Sequence, residues 1–195
     1  MIEADPPARI ARVREDQFDE PIRAFLAKWT GGFTDPTKNH PLLTFANHVK
    51  LADRFSRFNQ HLLMSSTVPV RQRQLAIMRT AWLCKGLYVW SSHLRTSVEY
   101  GLEPEVFEPV KRGPDDPYFI PFEQAILRAT DELVATRNLS DENWQALTAE
   151  WGNEQMLDFL FTVGAYVMLS SVMNAARVER EEVLLELADR YGVPG

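Results

Sequence analysis

Imidazole is the side chain best matched to proton transfer near neutral pH, and this chain carries four. One stands apart by its context. His93 lies in residues 71–101, RQRQLAIMRTAWLCKGLYVWSSHLRTSVEYG, which read as two consecutive helices with a junction at Gly86. Gly86, Val89 and Ser97 fall at −7, −4 and +4 from it and so share its helical face, with Trp90 one turn away. A face of small residues beside an imidazole leaves room for a ligand, with His93 as a general acid or base. The same pattern also fits a core histidine hydrogen-bonded to a neighbouring helix. His40, beside Pro41 in an expected loop, reads as structural or solvated. His48 and His61 fall on an expected long helix with no ligand partner at helical spacing.

Other chemistries find less support. No His-x-x-x-His or Glu-x-x-His pair accompanies His93, so no metal site is expected. There is no Gly-x-Ser-x-Gly element for a serine hydrolase and no glycine loop to cradle phosphate. Cys84, the single cysteine, excludes an intrachain disulfide and a cysteine-based zinc site, and its place late in an apolar helix suits a buried small residue. A formal net charge of −6 argues against a general nucleic-acid binder. Residues 1–16 carry acids and prolines where a signal peptide would be apolar. The longest apolar run, 159–173, is interrupted by Thr162, Gly164, Ser170 and Ser171 and is short for a bilayer span. The expectation is a cytoplasmic protein with no membrane partner.

Helices must position these residues. With 195 residues, 45% of them hydrophobic, the chain is long enough for one domain with a substantial core. Pro6-Pro7 and mixed charge make 1–17 an arm, and Ile22, Phe25, Leu26 and Trp29 give a short helix over 19–29. Residues 30–40 are rich in turn formers. Helices are expected over 41–64, 70–83, 87–100, 104–112, 119–136, 141–151, 154–177 and 180–191. Gly101 stands as a C-terminal cap and Ser140 as an N-cap. No strand or repeat pattern competes. The chain therefore reads as all-α, with an N-terminal arm and short helix over 1–38 and a single helical domain over 39–195.

Six pieces stand in order along the chain: Asn39-His40-Pro41-Leu42-Leu43, the run Arg71-Gln72-Arg73-Gln74-Leu75-Ala76-Ile77-Met78-Arg79, Tyr88-Val89-Trp90-Ser91-Ser92-His93, Gly101-Leu102, Asp131-Glu132-Leu133 and Gly164-Ala165-Tyr166. Together they resemble the carboxymuconolactone decarboxylase and alkyl hydroperoxidase (D-type) superfamily. The resemblance spans roughly 39–180. It implies a helical bundle that assembles as dimers, trimers or hexamers, with the site near subunit contacts. The departures are as telling. The peroxidase branch resembles Glu…Cys-x-x-Cys-x-x-x-His; here the histidine is His93, the cysteine positions hold Gly86 and Val89, and the glutamate position holds Gln74. Relatives without the cysteines show Tyr-Glu-Trp where this chain has Tyr88-Val89-Trp90. Thiol-dependent peroxide reduction needs a thiolate and a resolving thiol, so that activity is not expected.

The leading expectation is a cofactor-independent lyase, a decarboxylase of a small aromatic-derived or lactone-type acid in aromatic-compound catabolism. His93 would be the proton donor, with Gln74 orienting it or a substrate carbonyl. Arg73, Arg79 or Arg95 would anchor an anionic group, Arg73 first because it adjoins Gln74. Tyr88, Trp90 and Tyr166 would form an aromatic wall. Two alternatives remain beside it: an inert oligomeric ligand-binding protein, and an isomerase or other proton-transfer enzyme using the same histidine.

Overall fold

The centre of the molecule is a helix with almost no exposed face. Val70–Leu83 contains neither glycine nor proline, and its residues 73–81 are all buried, charged ones included. The computed structural model describes residues 5–29 and 39–195, and every regular element among them is helical. We number the α-helices α1 (Glu20–Trp29), α2 (His40–Phe45), α3 (Val49–Gln60), α4 (Val70–Leu83), α5 (Leu87–Glu99), α6 (Phe107–Arg112), α7 (Pro121–Thr136), α8 (Asp141–Thr148), α9 (Asn153–Ala176) and α10 (Glu182–Tyr191). The turn-rich stretch expected over 30–40 lies, for 30–38, outside the described residues, as do residues 1–4 of the expected arm.

Helix α4 packs against α5, α6, α7 and α9, and α5 packs in turn on α9 and α10. One core cluster gathers Leu75, Met78, Val89, Trp90, Leu94, Tyr166 and Leu169. A second joins Ala76, Ile126, Leu147, Met156 and Phe159. A third, from Val13, Phe25, Leu26, Leu43 and Ala52, ties α1 to α2 and α3. The described part of the N-terminal arm is held at two places: Arg9 and Ile10 donate backbone N–H bonds to the Ala176 carbonyl, and Asp5 takes the buried Arg180 guanidinium at 2.6 Å.

The single helix expected over 41–64 is broken. Asn39 caps α2 and a 3-10 turn follows (Ala46–His48). His48 then leaves helical geometry at φ −140°, ψ 70° so that its Nδ1 accepts from the Leu51 N–H and caps α3. A wide π-turn, His61–Ser65, closes the segment. The apolar pattern continues across both breaks, so periodicity alone did not mark them. Elsewhere the ends fall close to expectation. Gly101 takes φ 87° after α5, where a side chain would be strained. Ser140 accepts from Asn143 N–H at the start of α8, which ends at Thr148 rather than 151. The apolar run of 159–173 belongs to a 24-residue helix, long and apolar enough by itself to cross a bilayer. Its inner face is core against α4 and α5, as expected of the central helix of a bundle.

Candidate active site

The α4–α5 hairpin brings Gln74 under His93. The turn between them is tight. Lys85 adopts φ 51° and Gly86 N–H reaches back to the Ala81 carbonyl. A Cβ at Gly86 would lie 2.4 Å from the Ser170 hydroxyl of α9, so glycine is required there by close approach. This fixes the register of α5 on α4. His93 is 6% exposed and Gln74 fully buried. Gln74 Oε1 accepts from His93 Nδ1 at 2.8 Å and from the Ser97 hydroxyl at 3.1 Å.

The tautomer follows from this orientation of the Gln74 amide, which turns Oε1 to His93 and to Ser97. With Nδ1–H donated to an amide oxygen, Nε2 carries the lone pair. Nε2 has no protein partner among the described residues, and it is not one of the fully enclosed orphan atoms. Burial, reinforced by the positive charges of Arg73 and Arg95, pushes the His93 pKa down to about 3. Gln74 supplies an acceptor without a charge, so it does nothing to hold an imidazolium. His93 is thus a neutral imidazole with a reachable lone pair.

Tyr166, from α9, meets the His93 ring edge to face at 5.1 Å. Its hydroxyl has no partner among the described residues, and burial pushes its pKa far up, so it stays a neutral donor. Arg73 completes the group. It is 4% exposed, yet its side chain makes no ion pair and no hydrogen bond among the described residues, and its Nε is fully enclosed. The ring of Tyr100 lies over it, 5.9 Å from the guanidinium carbon. Arg73 adjoins Gln74 on α4, and its positive charge acts to lower the pKa of both His93 and Tyr166. The neighbouring arginines differ. Arg71 donates to Glu123 at 2.6 Å, and Arg79 makes a two-pronged pair with Asp131 at 2.6 and 2.8 Å. Arg95 is half exposed and sits 3.5 Å from Glu99. Of the three arginines considered as anchors, Arg73 alone is buried and unpaired.

Tyr88 and Trp90 are not brought to this group. The Tyr88 hydroxyl donates to Glu181 at 2.8 Å, fastening α5 to the start of α10. Trp90 is fully buried, donates to the Gly192 carbonyl at 2.8 Å and packs on Trp82. Both anchor the C-terminal segment. The other histidines have structural partners: His40 bridges Arg12 and the Glu179 carbonyl, and His61 holds Asp158 at 2.8 Å.

Sequence reasoning missed a set of orphaned polar atoms. Gln74 Nε2, Arg73 Nε, Thr162 Oγ1 and Ser170 Oγ are all enclosed without a partner among the described residues. Elsewhere in this protein buried helical hydroxyls bond back one turn, as Thr80 does to Ala76 and Thr130 to Ile126. Thr162 and Ser170 do not, although they lie one turn either side of Tyr166. Their spacing was visible; their lack of partners was not.

No protein-family model matches the sequence, and no curated protein matches it. Solved structures do match its fold. A peroxidase-related protein from Ralstonia eutropha JMP134, described as an alkylhydroperoxidase AhpD core, superposes with a TM-score of 0.77 at 16% identity, over 93% of this chain and 96% of that one. A peroxidase-related protein from Silicibacter sp. TM1040 gives 0.75 at 13%, over 93% and 96%. A cysteine-to-alanine variant of the debrominase Bmp8, in a complex with 2,3,4-tribromopyrrole, gives 0.76 at 13%, over 96% and 99%. The chain has the AhpD-like all-α fold, and that fold carries at least one enzyme.

Proposed function

We propose that this protein is a cofactor-independent enzyme that moves a proton on a small carboxylic acid, with His93 Nε2 as the base. The observation that carries the reading is the juxtaposition of a buried, unpaired Arg73 with an uncharged His93. A cation enclosed without a counter-ion is costly, and a bound anion would relieve it. An acid held by Arg73 presents its carbon skeleton to Nε2. The base takes a proton from a carbon adjacent to a carbonyl or conjugated double bond. The electron pair moves into the π system, and the negative charge that develops on oxygen is stabilised by Arg73 and by the neutral Tyr166 hydroxyl. The imidazolium so formed returns the proton to the same or a different carbon. Gln74 is a positioning residue that keeps the Nδ1–H tautomer.

Decarboxylation is the second reading. The unpaired Arg73 favours it too, since a cation would stabilise the enolate left when CO2 departs. It ranks behind because the neutral His93 has no proton on Nε2 to deliver at the outset. A carboxylate paired directly to Arg73 is also stabilised against losing CO2, so the leaving group would have to be a different one. With Gly86 and Val89 at the thiol positions, neither reading involves dithiol peroxide reduction.

Assembly belongs to the same proposal. The outer face of α9 repeats Leu157, Phe161, Gly164, Met168, Ser171 and Ala175 at alternating steps of four and three, and these positions are exposed. That is the spacing of a helix–helix seam, and we take a second copy of the chain as its partner in a dimer or trimer.

The test is hydrogen exchange. The protein is incubated with small unsaturated acids in D2O, and loss of the carbon-bound proton signal is followed by NMR. Exchange in the native protein and its loss in His93→Gln support the reading. CO2 release without prior exchange would favour decarboxylation. Acid binding with neither reaction would leave an inert binding protein.

A further inference from the structure

Arg73 is overlain by one residue that the proton-transfer reading does not use, and that residue leans on a second. Tyr100, at the C-terminal end of α5, lays its ring over the guanidinium at 5.9 Å. Its hydroxyl points to the Met64 sulfur, 3.8 Å away on the π-turn after α3. The contact joins two otherwise separate ends of the bundle. It is also weak, because a thioether is a poor acceptor and the distance is long. Met64 is 71% exposed and Tyr100 37%, so neither is packed in place. Large apolar side chains left in solvent beside a buried cation form a rim with an unused face.

We propose that Tyr100 and Met64 are the specificity-determining cover of the Arg73 site, selecting acids whose carboxylate is conjugated to a planar ring or double bond. This rests on the anion-binding role given to Arg73 above and deepens it. The physical reason is planarity. A carboxylate engages the free ends of a guanidinium in the guanidinium plane. In a conjugated acid that plane continues into the carbon skeleton. A ring that already covers the guanidinium then also covers the substrate, and the flexible Met64 thioether closes against its edge, where sulfur contacts are favourable. A saturated acid of the same size turns its ring out of the carboxylate plane and forfeits that cover. The same selection suits the proposed chemistry, since proton removal needs a π system to receive the electron pair.

The experiment uses the full chain and two probes of similar size, benzoate and cyclohexanecarboxylate, with dissociation constants measured by calorimetry. Aromatic contact of this kind corresponds to roughly two- to tenfold in affinity, so benzoate should bind tighter by that factor. Arg73→Met should abolish binding of both probes. Tyr100→Ala and Tyr100→Leu should bring the ratio to about one while cyclohexanecarboxylate is still bound. Tyr100→Phe, which keeps the ring and loses only the contact to sulfur, should retain the preference. Tyr100→Leu keeps bulk at this half-exposed position, and circular dichroism reports whether each variant is folded. The outcomes separate the two ideas. Failure of the native protein to bind either acid overturns the Arg73 reading itself. Binding of both acids that needs Arg73, with a ratio near one or a preference that survives Tyr100→Leu, overturns the cover alone.

Discussion

Acid should destabilise this protein through His93 in a way that one substitution removes. In the unfolded chain the imidazole titrates near 6.5; in the folded protein it is held down to about 3. Below pH 6.5 the unfolded state therefore binds a proton that the folded state refuses. Stability supplied by the neutral ring is fully present above 6.5 and is lost as pH falls towards 3, at about 1.4 kcal/mol per pH unit. Between pH 7.5 and 5.0 the loss assigned to His93 is about 2 kcal/mol. His93→Gln cannot titrate, and its amide can still donate to Gln74. Every other titratable group is common to both proteins and cancels in the difference. Urea unfolding of native and variant protein at the two pH values, at one fixed protein concentration, gives that double difference. A value below about 0.5 kcal/mol, well under the expected loss, would mean that His93 titrates almost normally when folded. It would then be available as an acid near neutrality, and decarboxylation with His93 as proton donor would overtake the base-first reading.

Three other outcomes are expected. Arg73→Met should raise stability by about 1–3 kcal/mol in denaturant unfolding, because it removes an uncompensated buried charge; a net loss would show that Arg73 has a counter-charge. Gly86→Ala should cost about 1–3 kcal/mol by overpacking, since its Cβ would meet Ser170 Oγ at 2.4 Å. Combined with Ser170→Gly it should cost less than the two single changes summed, and strict additivity would contradict the close approach. Phe161→Asp or Met168→Asp on the outer face of α9 should shift sedimentation from a dimer or trimer to monomer, and a native protein that already sediments as a monomer at micromolar concentration would sink the self-association proposal.

The sequence carried the bundle well where caps and periodicity agree, as at Gly101 after α5 and Ser140 before α8. It failed at His48 because an apolar pattern can run straight through a break made by one side chain turning to cap its own backbone. The site divides along the same line. His93 and Gln74 were legible as a pair of positions, and their hydrogen bond follows from the register of two adjacent helices. Tyr88 and Trp90 stand just as near to His93 in sequence. Their polar atoms are taken by Glu181 and Gly192, about a hundred residues on, and no helical spacing announces that. Arg73 was placed first among the arginines for its adjacency to Gln74. What distinguishes it is non-local: Glu123 goes to Arg71 and Asp131 to Arg79, and no carboxylate among the described residues comes to Arg73.

The two missing acids and the lone arginine have one electrostatic explanation. A carboxylate at position 74 would lie within hydrogen-bond reach of His93 and near Arg73, pairing the arginine and holding the imidazole charged. With Gln74 and Val89 there instead, the buried group carries a positive charge on Arg73 and none on His93. A buried site with an unbalanced cation is most favourable when a small anion enters it. Each relieves the other: the anion offsets the field of Arg73 that, with burial, depresses His93, so the imidazole becomes more basic when its substrate is in place. Binding and basicity are then linked. A ligand that occupies Arg73 should stabilise the fold by mass action and should also raise the His93 pKa, whereas an equally tight neutral ligand should do only the first.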